Sequence, residues 1–368
     1  MRGAAALPVE PVAETFNKEC PPMPHQNLQV RLAARPVGLP KESDFEIIER
    51  PIEEPGDGEV LVRNIYLSLD PAMRGWMDDR KSYIAPVKIG DVMRGLTVGV
   101  VEASGHPEFG PGDAVQGTLG WQQYARVDAR ELTRVPPGVP LRVALGPLGM
   151  TGLTAYFGLL DVGQLQEGDR VLVSAAAGAV GSIVGQIAKL HGCTVVGTAG
   201  SDEKCRWLED ELGFDAVINY KTAAETHGSL HAALAEACPK GIDIYFDNVG
   251  GEMLDAALRL LRRNARVVIC GAISQYNVTE PAPGPANYMS LLVNRARMEG
   301  FLVFDYVDRF AEGVTKLGGW LREGKLRYRE EVVEGLENAP RALLRLFDGN
   351  KSGKLMVQVA PEPAGQEG

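Results

Sequence analysis

The sequence is poor in the features that mark a disulfide scaffold, a thiolate metal cage, a membrane span or a nucleic-acid binder. Cysteines number five in 368 residues, at Cys20, Cys193, Cys205, Cys238 and Cys270. They are odd in number and scattered, with no C-x-x-C pair, which argues against a disulfide framework and sets the expectation of a reducing, cytoplasmic compartment. Only His191 and Cys193 bring a histidine near a cysteine, at the end of an expected helix, where the pair reads as structural. No run approaches the roughly 18 apolar residues that a membrane span needs. Acidic residues outnumber basic ones 48 to 38, a net charge of −10, so no basic stripe offers itself to nucleic-acid phosphates or an anionic membrane. The opening segment carries one Arg and a short apolar patch broken by Pro8 and Pro11. It makes a poor signal peptide, and residues 1–24 are expected to be a flexible tail. In that light the sequon Asn277-Val278-Thr279 reads as accidental.

What is present is turn-rich and apolar: 43 Gly, 24 Pro and 45% hydrophobic residues, enough for a sizeable core. From "NLQVRLAARP" to "ELTRVPPGVP" short alternating runs such as "GEVLVRNIYLSLD" and "LTVGVVEAS" indicate a β-rich barrel or sandwich module. After about Leu141 the pattern changes. "DRVLVSA", "CTVVGTAG", "DAVINY", "GIDIYFDNVGG", "RVVICGAIS" and "MEGFLVFDY" read as strands. Between them lie "AVGSIVGQIAKLHG", "SDEKCRWLEDELG", "GSLHAALAEACPKG" and "EMLDAALRLLRRNA", which read as helices. Val180, Ile183, Val184, Ile187 and Leu190 share one face of the first. Strands alternating with helices of about a dozen residues specify a doubly wound parallel sheet, an α/β fold. A further helix over "DRFAEGVTKLGGWLREG" leads to a terminal stretch whose last strand is placed to return to the first module.

The turn "VSAAAGAVG" follows the first strand of that series and opens its first helix. Gly178 and Gly181 match the second and third glycines of G-x-G-x-x-G, with Ala176 in the first place. Such a turn lets a pyrophosphate approach the backbone and lets helix and sheet pack closely, with free amides and the helix dipole facing the phosphates. A plain packing corner is the competing interpretation. An NAD site places a carboxylate about 20 residues on, against the ribose 2′-hydroxyl. Here the strand end reads Gly197, Thr198, Ala199, Gly200, Ser201, with Lys204 one helical turn beyond and Tyr220 ending the next strand. That pattern favours a 2′-phosphate and NADP(H). Asp202 and Glu203 can satisfy the helix dipole, and Lys204 can equally be a solvated helix charge.

Taken together, "YLSLDPAMRGWM", "SAAAGAVG", "GTAGSDEK", "FDNVGG", "CGAISQYN", "NRARMEGFLVFDY" and "GNKSGK" resemble the zinc-independent medium-chain dehydrogenases/reductases, in the branch of leukotriene B4 dehydrogenase, prostaglandin reductase and alkenal (curcumin) double-bond reductases. The resemblance runs from about residue 26 to 360. It implies a Rossmann doubly wound sheet, residues 141–324, inserted in a GroES-like β-rich catalytic domain made of residues 25–140 and 325–368, and a homodimer. It also implies that Gly178, Ala179 and Val180 hold the pyrophosphate, with Gly181 behind them, and that Lys204 and Tyr220 hold the 2′-phosphate. Asn248 would lie along the cofactor. Cys270, Gly271, Ala272, Ile273, Ser274 and Tyr276, with Phe301, Leu302 and Val303, would surround the nicotinamide and its ribose. Asn350 would reach in from the terminal segment. Asn248 and Asn350 also read as ordinary turn residues. No metal is expected, because the chain has neither the G-H-E motif nor the four close cysteines of zinc relatives.

The activity implied is NADPH-dependent reduction of the C=C bond of a conjugated carbonyl, a small-molecule substrate. Hydride arriving at the β-carbon drives negative charge onto the carbonyl oxygen, where a hydroxyl donor can stabilise it. Tyr83 is the first candidate donor and Tyr276 the second; Tyr66 and Tyr288 are weaker. Many relatives read "LDPYMRGRM" where this chain has Ala72 and Trp76, so their substrate preference does not transfer directly. A hydroxy fatty acid or other alcohol dehydrogenase and a non-catalytic NADPH sensor remain open alternatives.

Overall fold

The computed structural model describes residues 26–363; the expected tail, residues 1–24, and Cys20 lie outside them. In chain order β1 (Gln26–Leu32) and β2 (Phe45–Pro51) pair with each other, and β3 (Glu59–Ser68) leads into a short helix α1 (Met73–Trp76). Then come β4 (Thr97–Ser104), β5 (Ala114–Gly117), β6 (Tyr124–Asp128), β7 (Thr133–Arg134), α2 (Leu141–Leu145) and α3 (Met150–Phe157). The alternating series follows: β8 (Arg170–Val173), α4 (Gly181–Leu190), β9 (Thr194–Ala199), α5 (Asp202–Arg206), β10 (Ala216–Asn219), α6 (Ala223–His227), α7 (Leu230–Ala237), β11 (Ile242–Asp247), α8 (Gly251–Leu258) and β12 (Leu261–Ile269). The chain closes with α9 (Met289–Asn294), β13 (Arg297–Gly300), α10 (Phe310–Arg322), β14 (Glu330–Glu334), α11 (Ala339–Leu344) and β15 (Lys354–Gln358).

Six parallel strands stand in the order β10-β9-β8-β11-β12-β13, the doubly wound arrangement whose strand order reverses between β8 and β11. Ligands in such sheets lie beyond the carboxyl ends of the strands at that reversal, so the turn after β8 and the loop after β11 flank the expected crevice. The second sheet runs β14-β15-β3-β4-β5-β7, with β6 also on β3. The last strand returns to the first module, Met356 pairing with Ser68.

Packing explains the central placement of β8 and β11. Val171, Leu172 and Val173 are buried, as are Ile244, Tyr245 and Phe246, because helices cover both faces. Helix α4 buries Ile183, Val184 and Ile187 against them, each side chain contributing about 1.5–3 kcal/mol. Leu190 closes that helix and is 38% exposed, so the apolar stripe stops short of the expected length.

Two elements differ from their sequence patterns. The helix expected over "EMLDAALRLLRRNA" ends at Leu258, and Leu261 already belongs to β12. The ladder jumps from Ile242–Leu261 to Ile244–Arg266, and Asn264 takes a positive φ of 64°, which asparagine tolerates. The strand expected over "MEGFLVFDY" ends at Gly300, because its partner β12 offers its last paired residue, Ile269, there. Val303–Arg309 then coil into 3-10 turns.

Candidate active site

Between β8 and α4 the chain must reverse within seven residues. Ala175 takes a left-handed φ of 48°, and the Ala176 amide donates to Thr198 of β9 at 2.9 Å, which fixes the turn to the sheet. A Cβ on Gly181 would stand 2.6 Å from the Ala175 carbonyl oxygen, so only glycine allows helix and turn to meet. A Cβ on Gly178 would meet that same oxygen at 3.1 Å and nothing else within 4 Å; its outer face is open. Among the described residues the amides of Ala179, Val180 and Gly181 find no protein acceptor. Three free N–H groups at the positive end of a ten-residue helix fit a pyrophosphate.

A cationic pocket lies beyond β9. Ser201 caps α5, its side chain accepting from the Lys204 amide. The Lys204 ammonium donates to the Gly349 carbonyl at 2.5 Å, although the two residues are 145 positions apart. A Cβ on Gly200 would stand 3.1 Å from the Tyr220 hydroxyl, and one on Gly349 would stand 3.4 Å from the Lys221 ammonium. Ser201, Lys204, Tyr220 and Lys221 therefore converge on one spot. Burial lowers the Lys204 pKa, and Lys221 lowers it further. Asp202, the carboxylate that raised doubt in the sequence, accepts from the Asn219 side chain at 2.7 Å.

The nicotinamide end is organised by Asp247, the last residue of β11. Its buried carboxylate accepts from the Tyr245 hydroxyl at 2.7 Å and from the Val249 and Gly250 amides at 2.9 Å each. Burial pushes its pKa up against these bonds. The Asn248 side chain donates to the Ser174 carbonyl at 2.8 Å, joining this loop to the glycine turn. The amides of Cys270 and Gly271 both donate to the Asp247 carbonyl, and burial pushes the Cys270 thiol up to about 12. The Tyr276 hydroxyl accepts from the Ala272 amide at 3.2 Å. Burial raises the Tyr276 pKa while that amide opposes it.

The facing wall comes from the β-rich module. Tyr83 is 49% exposed, and its hydroxyl accepts from the Trp76 indole N–H at 2.8 Å. The Arg94 guanidinium lies 5.7 Å from the Trp76 ring centroid. Tyr83 lies near enough to Tyr276 to add slightly to the rise in that residue's pKa. Tyr66 is buried in β3 and its hydroxyl donates to Glu362 at 2.5 Å, which commits it elsewhere. Tyr288 is exposed just ahead of α9.

Comparison with known proteins accords with this geometry. Residues 28–135 match the model described as the N-terminal domain of oxidoreductase, and residues 179–318 the model described as zinc-binding dehydrogenase. The chain is 46% identical to the NADPH-dependent curcumin reductase of Escherichia coli over 89% of its length and 96% of that protein's. It is 44% identical to the NADP(+)-dependent 2-alkenal reductase of Nicotiana tabacum over 91% of its length and 98% of that protein's. The crystal structure of CurA from Vibrio vulnificus in complex with NADPH superposes with a TM-score of 0.86 at 48% identity, covering 91% of this chain and all of that one. The chain belongs to the medium-chain dehydrogenases/reductases.

As a medium-chain reductase it brings most of the residues singled out in the sequence to one cleft. Gly178 to Gly181, Ser201, Lys204, Tyr220, Asn248, Cys270 to Ile273 and Tyr276 follow the carboxyl ends of the parallel strands. Three fit it less directly. Ser274 turns its hydroxyl back to the Val249 carbonyl at 2.6 Å. Val303 is buried in the core below the sheet. Asn350 is exposed, and its amide donates to Asp348 at 2.7 Å. Phe301 stands edge-on to Phe246 at 6.5 Å. Sequence reasoning missed Lys221, although it directly follows Tyr220, and the lysines of "GNKSGK". Among the described residues no group of three or more His, Cys, Asp or Glu is placed to hold a metal ion.

Proposed function

We propose that the protein is an NADPH-dependent double-bond reductase that acts on α,β-unsaturated ketones and aldehydes. The chain is an NADP-dependent oxidoreductase, and the named activities of its curcumin, prostaglandin and 2-alkenal reductase relatives share conjugated carbonyls as substrates. The free amides after β8 hold the pyrophosphate, and Ser201, Lys204 and Tyr220 hold the 2′-phosphate. Asn248, Cys270 to Ser274, Phe301 and Leu302 flank the nicotinamide half. When bound, NADPH supplies the hydride.

The protein's own task is to receive charge. As the β-carbon is reduced, the carbonyl oxygen becomes an enolate, and Tyr83 donates its hydroxyl proton toward that oxygen. The observation that carries this reading is the Trp76–Tyr83 bond. Because the indole N–H fills an acceptor lone pair of Tyr83, the phenol proton is left to point into the cleft. Tyr276 walls the opposite side and holds the loop against Ala272. The α-carbon then takes a proton from solvent or from the phenol.

Following NADPH absorbance with a small enone and then with its saturated ketone tests the proposal. Oxidation with the enone alone supports it. Turnover of the saturated ketone would instead support the alcohol dehydrogenase reading, and tight binding with no turnover the sensor.

We also infer a homodimer in the cytoplasm. Edge strand β13 and helix α9 present Met298, Leu292 (70% exposed) and Val293 (65% exposed) beside Phe304 and Val307. An open edge carrying apolar side chains calls for a second copy. Light scattering should give twice the chain mass. The free thiols of Cys193, Cys205, Cys238 and Cys270 suit a reducing compartment. No helix among the described residues is long and apolar enough to cross a membrane.

A further inference from the structure

The loop between α11 and β15 does more than return the chain to its sheet. Its start and end are both fixed to the coenzyme half of the cleft: the Gly349 carbonyl accepts from Lys204, and the Gly353 amide donates to the Ala177 carbonyl at 2.9 Å. Gly353 thereby forms a parallel bridge with Gly178 of the glycine turn. The loop thus runs from the 2′-phosphate pocket to the pyrophosphate turn, with Lys351 midway.

Lys351 is partly buried, and among the described residues its ammonium has no hydrogen-bond or ion-pair partner. The charged groups that act on it are Lys354, Asp70, Lys204 and Glu331. Both carboxylates are already engaged. Asp70 accepts from the Lys354 ammonium at 2.6 Å. Glu331 accepts from Arg345 and, at 2.6 Å, from the Ser352 amide. Lys221 adds a further cation beside Lys204. A chain of net charge −10 therefore concentrates lysines where three helix-terminal amides also lack acceptors. An unpaired and partly desolvated cation among other cations is unfavourable unless an anion completes the set.

We propose that Lys351 is a phosphate ligand of the coenzyme, its ammonium pairing with the pyrophosphate above Gly178 rather than with the 2′-phosphate. Two residues on, the chain is bound to the glycine turn itself, Gly353 bonding to Ala177 and bridging Gly178, which sets this half of the loop against the pyrophosphate seat. Burial lowers the Lys351 pKa to about 8, and Lys354 adds to that. An incoming phosphate favours the charged form, so coenzyme binding takes up a proton above that pH. The inference rests on the NADPH-binding reading and deepens it.

Equilibrium titration of the purified protein with NADPH and with NADH, followed by nicotinamide fluorescence at pH 7 and pH 9, tests it. Lys351→Met should weaken both coenzymes by the same factor, about tenfold or more at pH 7, and Lys351→Arg should restore most of that. Wild type should lose about tenfold in affinity between pH 7 and pH 9, and Lys351→Met much less. Unchanged binding by Lys351→Met, with its thermal unfolding intact, overturns the assignment. So does a loss confined to NADPH, which would put Lys351 on the 2′-phosphate. Wild type that binds neither coenzyme sinks the NADPH reading itself, whereas normal binding without enone turnover leaves Lys351 standing and sinks only the proposed reaction.

Discussion

The indole N–H of Trp76 and the hydroxyl of Tyr83, both on the wall that the β-rich module contributes, are joined by a 2.8 Å hydrogen bond. Trp76 is buried while Tyr83 is half exposed, so a fixed side chain orients one that solvent would otherwise leave free. A phenol that accepts one hydrogen bond becomes a stronger donor of its own proton. Tyr83→Phe should therefore lower kcat with an enone by about 10²–10³-fold, the cost of removing one oxyanion donor. Coenzyme affinity, measured by fluorescence titration, should stay the same. Full turnover by Tyr83→Phe would remove the residue from the reaction.

Trp76→Phe separates orientation from chemistry. The ring and its contact with Arg94 are largely kept, and only the N–H is lost. Turnover should fall by a smaller factor than in Tyr83→Phe, and the double variant should be no slower than Tyr83→Phe alone. Additive losses in that cycle would show that the two side chains act independently.

The basic pocket makes a prediction about coenzyme choice. Among the described residues Lys204 has no carboxylate within ion-pair distance, and burial and Lys221 lower its pKa, which suits a dianionic 2′-phosphate. Lys204→Ala should weaken NADPH by about tenfold or more while NADH binding changes little. An unaltered ratio of NADPH to NADH affinity would make Lys204 only a fastener of the Gly349 loop.

The glycine turn separates packing from binding. Gly181→Ala forces a methyl against the Ala175 carbonyl at 2.6 Å and should destabilise the fold by about 1–3 kcal/mol, read as a lower Tm. Gly178→Ala meets one oxygen at 3.1 Å and otherwise open space. It should change Tm less and weaken coenzyme binding more. A Gly178→Ala protein that binds NADPH normally would argue that the pyrophosphate does not approach there.

Local pattern made the parallel sheet legible. The strands β8 and β11 are unbroken apolar runs, and α4 repeats its apolar residues every three or four positions, because each element answers to its own burial. That Lys204 and Tyr220 lie near each other is also legible, since each is within a few residues of the end of a neighbouring parallel strand. The loop around Lys351 was not, because its meaning depends on contact with residues some 150 to 175 positions earlier, which no periodicity encodes. The bond from Trp76 to Tyr83 spans only seven positions, yet neither residue lies in a repeating pattern that would announce it. At Leu261 and Gly300 the element boundaries followed the neighbouring strand's length rather than the residues' own preferences. A helical repeat continued past Leu258, and only the pairing with β11 ended it.

The pair of buried Lys354 and partly buried Asp70 supplies a pH prediction independent of coenzyme. Lys354 is 4% exposed and donates to Asp70 and, at 3.1 Å, to the Leu69 carbonyl, tying β15 to the loop that leads to α1. Burial works against the Asp70 charge, but Lys354 and the Ser68 hydroxyl outweigh it and hold the pKa below the usual 3.8. A depressed carboxyl contributes stability that is present above its unfolded pKa and is lost as pH falls through its folded value. Wild type should therefore lose this contribution only below about pH 4, and Asp70→Asn should lose the corresponding steepness in its acid unfolding curve. At neutral pH, Lys354→Met leaves a partly buried carboxylate without its cation and should cost about 1–3 kcal/mol. The double replacement of Lys354 by Met and Asp70 by Asn should recover part of that loss, since no unpaired charge remains. Denaturant unfolding at pH 7 and pH 3 measures all three. If Lys354→Met is as stable as wild type at pH 7, the pair is not what fastens β15 beside the cleft.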